Sequence, residues 1–168
     1  MKKLGLTIGA LVGLAGLLLS FSLNASAAGN AKDEKAIRAV ENKIIAATST
    51  DEVMKYYDQN DIDLYDFVPP LQYHGASAVH GDLDNFFNNA KDAKGEFVEL
   101  VVVTDGKLGM ARSFQHFTWK DKDGKPQEAT LRVTDVLHKV GGQWKVIHSH
   151  VSVPVDPKTG QAQMNLHS

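Results

Sequence analysis

The stretch Gly141-Gly142-Gln143-Trp144-Lys145-Val146-Ile147-His148-Ser149-His150-Val151-Ser152-Val153-Pro154 decides how the rest of this chain is read. A Gly-Gly pair suited to a tight turn launches it, and a proline closes it. The residues between are largely β-branched or aromatic and alternate with period two, which is the signature of a strand. The alternation places Trp144, Val146, His148, His150 and Ser152 on one face, and Lys145, Ile147, Ser149, Val151 and Val153 on the other. Two imidazoles on one strand face stand about 7 Å apart. Their chemistry depends on whether that face lines a cavity.

Three more strands precede this one. Residues 97–104, 108–120 and 128–140 alternate in the same way, joined by the turns Asp105-Gly106 and Asp121-Lys122-Asp123-Gly124. Residues 92–95 read as a loop. Upstream the periodicity becomes helical. Residues 76–90 bury Val79, Leu83, Phe86 and Phe87, and Ser49-Thr50-Asp51-Glu52 is a capping box that opens a short helix burying Val53, Met54, Tyr56 and Tyr57. Residues 30–48 form the first helix, with Ile37, Val40, Ile44 and Ala47 on one stripe. Between the second and third helices, residues 62–66 form a short strand, Pro69-Pro70 forces an extended passage and Gly75 turns the chain. Helices first and an antiparallel meander after them is an α+β order. The expected fold is a cone: three N-terminal helices packed in a curved antiparallel sheet, with a cavity at the open end. It forms one domain over residues 30–155, followed by a loose polar tail over 156–168.

The first 27 residues read as a secretory signal peptide. Lys2 and Lys3 precede a long apolar run, and Ala25-Ser26-Ala27 supplies the small residues of a cleavage site. An uncleaved anchor is the competing reading, because the run is long enough to span a bilayer. Cleavage predicts an exported protein, periplasmic or secreted, with no membrane attachment afterwards. Without Lys2 and Lys3 the 18 basic residues fall to 16 against 20 acidic ones, a net charge of −4. That mild acidity argues against a nucleic-acid partner. The absence of cysteine excludes disulfides, thiol nucleophiles and thiolate metal sites.

Leu64-Tyr65-Asp66-Phe67-Val68-Pro69-Pro70, Gly75 nine residues after Asp66, and Gly-x-Trp-x-Val in the last strand resemble the ketosteroid isomerase and nuclear transport factor 2-like superfamily. Within it, the chain is similar to the SnoaL-like proteins, from about Ala36 to Pro154. The resemblance implies a cofactor-independent isomerase or lyase-like chemistry on a small, partly apolar molecule, and a homodimer. It makes Asp66 the general base and places an aspartate that donates to an oxyanion near Asp135. The family's oxyanion tyrosine comes from the first helix, where the ungapped position holds Asn42. The same register puts Arg112, Phe114, His116 and Thr118 of one strand, and His148, His150 and Ser152 of the last, on the cavity side.

The residues themselves leave these roles open. Asp66 suits a base and equally a turn cap, and Asp135 can pair with an arginine instead. His116, His148 and His150 could converge as acid–base groups, as hydrogen-bonded lining, or as zinc or iron ligands. The reading adopted is Asp66, His148 and His150 as catalytic residues and Tyr57, Tyr73, Arg112, His116, Asp135 and Ser152 as ligand contacts, with no metal and no cofactor. A non-catalytic module for ligand binding or self-association is the alternative. No phosphate loop or nucleophile elbow is present.

Overall fold

The computed structural model describes residues 15–166, with side chains described from Asn30 onward. The signal peptide expected over residues 1–27 therefore lies outside the residues whose side chains are described. Helix α1 (Ala15–Ile45) already includes residues 15–29. Among the described residues no helix is long and apolar enough to cross a membrane.

Helix α1 presents Ile37, Val40, Glu41 and Ile44 along one stripe, with Ile37 fully buried in the core. The capping box works as its sequence requires: the Glu52 amide donates to Ser49 Oγ at 3.4 Å, and the Thr48 amide donates to Glu52 Oε2 at 2.8 Å. Helix α2 (Thr50–Met54) follows and buries Val53 and Met54. The chain then runs along the future last strand. The Asp58 amide donates to the Val146 carbonyl at 2.8 Å, and the Val146 amide to the Tyr56 carbonyl at 2.9 Å. Strand β1 (Asp63–Tyr65), strand β2 (Tyr73–His74) and helix α3 (Ala76–Asn89) complete this half.

Strands β3 (Lys91–Thr104), β4 (Leu108–Lys120), β5 (Pro126–Val140) and β6 (Gln143–Ser152) form the long meander. The expected loop at 92–95 is instead strand. It pairs with the end of β4 through a register shift at which Asp92 takes φ 56°, and Lys120 Nζ donates to Asp92 Oδ2 at 2.7 Å. The sheet order is β2-β1-β6-β5-β4-β3, antiparallel except that β1 runs parallel to β6. Gly141 and Gly142 both take positive φ, 56° and 81°, as a two-residue primed hairpin turn requires. The tail is not loose. It turns back so that the Gln163 amide donates to Pro154 and the Thr130 amide to Met164.

Two facts set which sheet face meets the helices. On β4 the inward residues are Gly109, Ala111, Ser113 and Gln115, all buried. The first three are small because α1 lies close: a Cβ on Gly109 would stand 2.4 Å from Ile37 Cδ1. On β6 a β-bulge intervenes. Leu137 pairs with Val146 but Val136 pairs with His148, leaving Ile147 as an extra residue. A bulge reverses the alternation beyond it. Trp144 and Val146 point inward before the bulge, and Ser149 is the buried residue after it.

Candidate active site

The α+β cone encloses a cavity of about 500 Å³. The strand register assembles its lining row by row. Ala111 faces Asp135, Asp135 faces Ser149, and Ser149 faces Leu64, so one inner row crosses the sheet. Phe86, Phe87 and Phe117 form an aromatic wall, with the Phe86 ring 5.2 Å from that of Phe87 and 6.3 Å from that of Phe117, both edge to face. Phe67 and Trp119 also line the cavity.

The deep end is polar. Tyr57, Asp135 and Ser149 line it and are 6%, 4% and 2% exposed. Side-chain hydrogen bonds join Ser149 to both neighbours. Because a carboxylate only accepts, Ser149 donates to Asp135 and Tyr57 donates to Ser149. Behind Asp135 stands Glu41 of α1, 1% exposed. Burial, then the neighbouring Asp135 charge, raises the Glu41 carboxyl well above its ordinary range, and burial raises Asp135 to about 6. The two carboxyls are hydrogen-bonded to each other, which requires a proton on one of them. Two carboxyls in contact titrate as a pair, so with one proton shared between them the pair carries one negative charge at neutral pH. Burial also pushes the Tyr57 phenol well up, with the Asp135 charge adding to it.

Asp66 lies nearer solvent. It follows β1, lines the same cavity, and has its Oδ1 bonded by the Phe67 amide at 2.7 Å. Burial raises it to about 6, against the lowering effect of that amide, with nearby Asp82 raising it further. Asp82 of α3 also lines the cavity, and burial raises its carboxyl too. Tyr73 donates its one O–H to the Pro69 carbonyl at 2.9 Å, with the Asp82 carboxyl close beside the phenol. Burial, with Asp82, pushes its phenol to about 12.

Of the nine expected site residues, the cavity lining contains Asp66, Tyr57 and Asp135, with Tyr73 behind Asp82. The bulge at Ile147 turns His148 and His150 to the outer face. There Tyr65 packs edge-on to both rings, at 4.7 and 6.0 Å. Arg112, His116 and Ser152 are also on the outer face. Close packing of α1 against Gly109, Ala111 and Ser113 fixes the odd-numbered residues of β4 on the inside, so Arg112 is exposed and His116 Nδ1 lies 3.3 Å from Thr130 Oγ1. The three histidines do not converge. Among the described residues no group of three or more His, Cys, Asp or Glu could hold a metal ion.

Sequence reasoning missed Glu41, Ser149 and Asp82. Glu41 carried a signal: it stands at i+4 from Ile37 and i−3 from Ile44, a carboxylate inside an apolar stripe. Asn42, the position that the resemblance assigned to the oxyanion tyrosine, is exposed and bonds Arg38 O at 2.8 Å. Tyr57 instead brings a phenol to Asp135 from the segment after α2.

The SnoaL-like domain family matches residues 37–156, which contain every residue of the cavity lining. The chain belongs to the SnoaL-like family. Solved structures share its fold. An NTF2-like protein of unknown function from Pseudomonas putida KT2440 is 25% identical with a TM-score of 0.73, covering 82% of this chain and 98% of that one. A ketosteroid isomerase-like protein from Erwinia carotovora atroseptica is 21% identical with a TM-score of 0.62, covering 71% and 95%. An NTF2-like superfamily protein from Salmonella enterica serovar Typhimurium is 16% identical with a TM-score of 0.65, covering 82% and 99%. No curated protein matches the chain. The SnoaL-like domain here therefore has a cavity lined by Asp66, Tyr57 and Asp135, with Glu41 behind Asp135.

Proposed function

We propose that this SnoaL-like domain binds a small, partly apolar molecule in its cone and that Asp66 moves a proton on it without a cofactor. One observation carries the reading: a half-buried carboxyl, raised to about 6, faces the same apolar cavity as a buried phenol and carboxyl pair. A base with its pKa near the working pH combines availability with driving force. Isomerisation and dehydration are the reaction classes this suits, and a ketosteroid isomerase-like relative is consistent with them.

The deep end favours a second reading, a binding module without turnover. An oxyanion needs a neutral donor, as a protonated carboxylic acid supplies. Here the Glu41–Asp135 pair carries a negative charge, which opposes an oxyanion beside Tyr57. A thermal-shift screen of small ketones, alcohols and amines, followed by turnover assays on the hits, separates the two. For an enzyme, Asp66→Asn retains binding and loses about 100-fold or more in turnover. Hits that bind the wild type and are never transformed select the binding module. A screen without any hit contradicts both.

We further propose that the protein is exported, on the strength of its leader-like residues 1–27, and that it pairs through the outer face of its sheet. That face exposes Tyr65, Val103, Leu108 and Val140. Cell fractionation tests the first proposal, which fails if the full-length chain stays in the cytoplasm.

A further inference from the structure

The titratable side chains lining the cavity are Asp66, Asp82, Asp121 and Asp135, the phenol of Tyr57, and Lys122 in the exposed β4–β5 turn. No arginine or histidine is among them. A negative charge at the cavity mouth can be met by water. At the deep end it is not. Glu41 and Asp135 form no ion pair with a cationic side chain among the described residues, and neither Glu41 Oε1 nor Asp135 Oδ1 receives a hydrogen bond from an ordinary donor. The proton they share satisfies their hydrogen bonding but leaves the pair with one negative charge. An uncompensated buried charge is costly, and Asp135 itself lines the cavity.

The walls between this charge and solvent are aromatic. Phe86, Phe87 and Phe117 present ring faces and edges, and Trp119 and Phe67 add to them. Aromatic faces attract cations and hydrocarbon and repel anions. Shape, apolar lining and charge thus select together. An anionic ligand meets four carboxyl groups, and a neutral one leaves Asp135 uncompensated. A hydrophobic molecule with one protonated amine fills the aromatic part and neutralises the deep end.

We infer that the ligand of this cavity is an apolar, aromatic-sized amine that binds as its ammonium ion, with the charged nitrogen directed to Asp135. This rests on the proposal that the cone binds a small molecule, and adds its chemical class.

Three probes with one skeleton test it on the full protein near neutral pH: 2-naphthylmethylamine, 2-naphthalenemethanol and 2-naphthoate, each titrated by calorimetry. The amine is expected to bind at least about tenfold more tightly than the alcohol, and the naphthoate more weakly than either. Asp135→Asn keeps the shape and removes the charge. It is expected to erase the amine's advantage and leave the alcohol within about twofold. Equal binding of amine and alcohol, or preferred binding of the naphthoate, overturns the inference while leaving the cavity a ligand site. Should none of the three bind, the inference and the ligand-site reading both fall. The wild-type comparison decides even if Asp135→Asn does not fold.

Discussion

Glu41 of the first helix and Asp135 of the third long strand meet carboxyl to carboxyl at the deep end of the cavity, both almost wholly buried. Two ionised carboxylates in contact and out of water would be strongly unfavourable. One proton held between them resolves the contact. With one proton shared by the pair, Glu41→Gln preserves a donor of similar shape and is expected to cost less than about 1 kcal/mol. Glu41→Ala leaves Asp135 without its donor and opens a void, a loss of roughly 2–4 kcal/mol. Chemical denaturation of both variants near neutral pH checks the contrast. Equal losses would mean that the pair holds no proton.

The Asp66 carboxyl gives a pH signature. Its folded value of about 6 lies above the ordinary 3.8, so the folded state holds the proton more tightly. The associated stability is complete below about pH 4 and is lost as pH rises through about 6. Asp66→Asn removes this dependence. Relative to the wild type it is expected to gain roughly 1–2 kcal/mol between acid and neutral pH, after allowance for partial exposure. Urea unfolding of both proteins on either side of the transition measures it. A difference that does not change with pH contradicts the account.

His148 and His150 sit beyond a bulge, beside Tyr65 and away from the cavity. The His148→Ala/His150→Ala double variant is therefore expected to bind a cavity ligand within about twofold of the wild type, whereas Tyr57→Phe, which removes the deep hydroxyl, weakens it about five- to tenfold. Titration with one cavity probe compares them directly. Loss of binding in the histidine variant would return the last strand to its expected phase.

Gly109 lets α1 reach the sheet. Gly109→Ala drives a methyl against Ile37 Cδ1, 2.4 Å away, and is expected to cost about 1–3 kcal/mol. Ile37→Val removes that Cδ1 atom. The double variant should be more stable than the sum of the two single losses, because the residues touch. Thermal unfolding of the four proteins closes the cycle, and simple additivity would contradict the close approach.

The outer face offers a further check. Val103 pairs with Met110, Met110 with Val136 and Val136 with His148, so this row crosses the sheet, and Val103 is 45% exposed. Val103→Lys is expected to convert a dimer to a monomer in light scattering coupled to size exclusion, with the cavity unaffected. A wild-type monomer across the concentration range would end the proposal of pairing through this face.

Much of the fold was legible because its signals are local. The Ser49–Glu52 capping box, the Gly141-Gly142 turn and the change from helical to alternating periodicity each act within a few residues. The site was less legible because it depends on phase. A single extra residue, Ile147, inverts the last strand, and nothing in the alternation of residues 143–153 announces it. On β4 the larger, chemically richer side chains suggested the inner face. Where α1 crosses, the helix required the small Gly109, Ala111 and Ser113 instead, a constraint set by Ile37 more than 70 positions away. Asp66, Tyr57 and Asp135 were placed correctly in the cavity because none of them depends on the bulge.

Carboxyl carbon NMR, following Glu41, Asp66 and Asp135 through a pH titration, tests the charge of the cavity most directly. The account predicts that Asp66 titrates at about 6, and that Glu41 and Asp135 titrate as a coupled pair that holds one proton well above the ordinary carboxyl range. Titration of Glu41 and Asp135 together near ordinary carboxylate values would contradict it, because the deep end would then hold no shared proton.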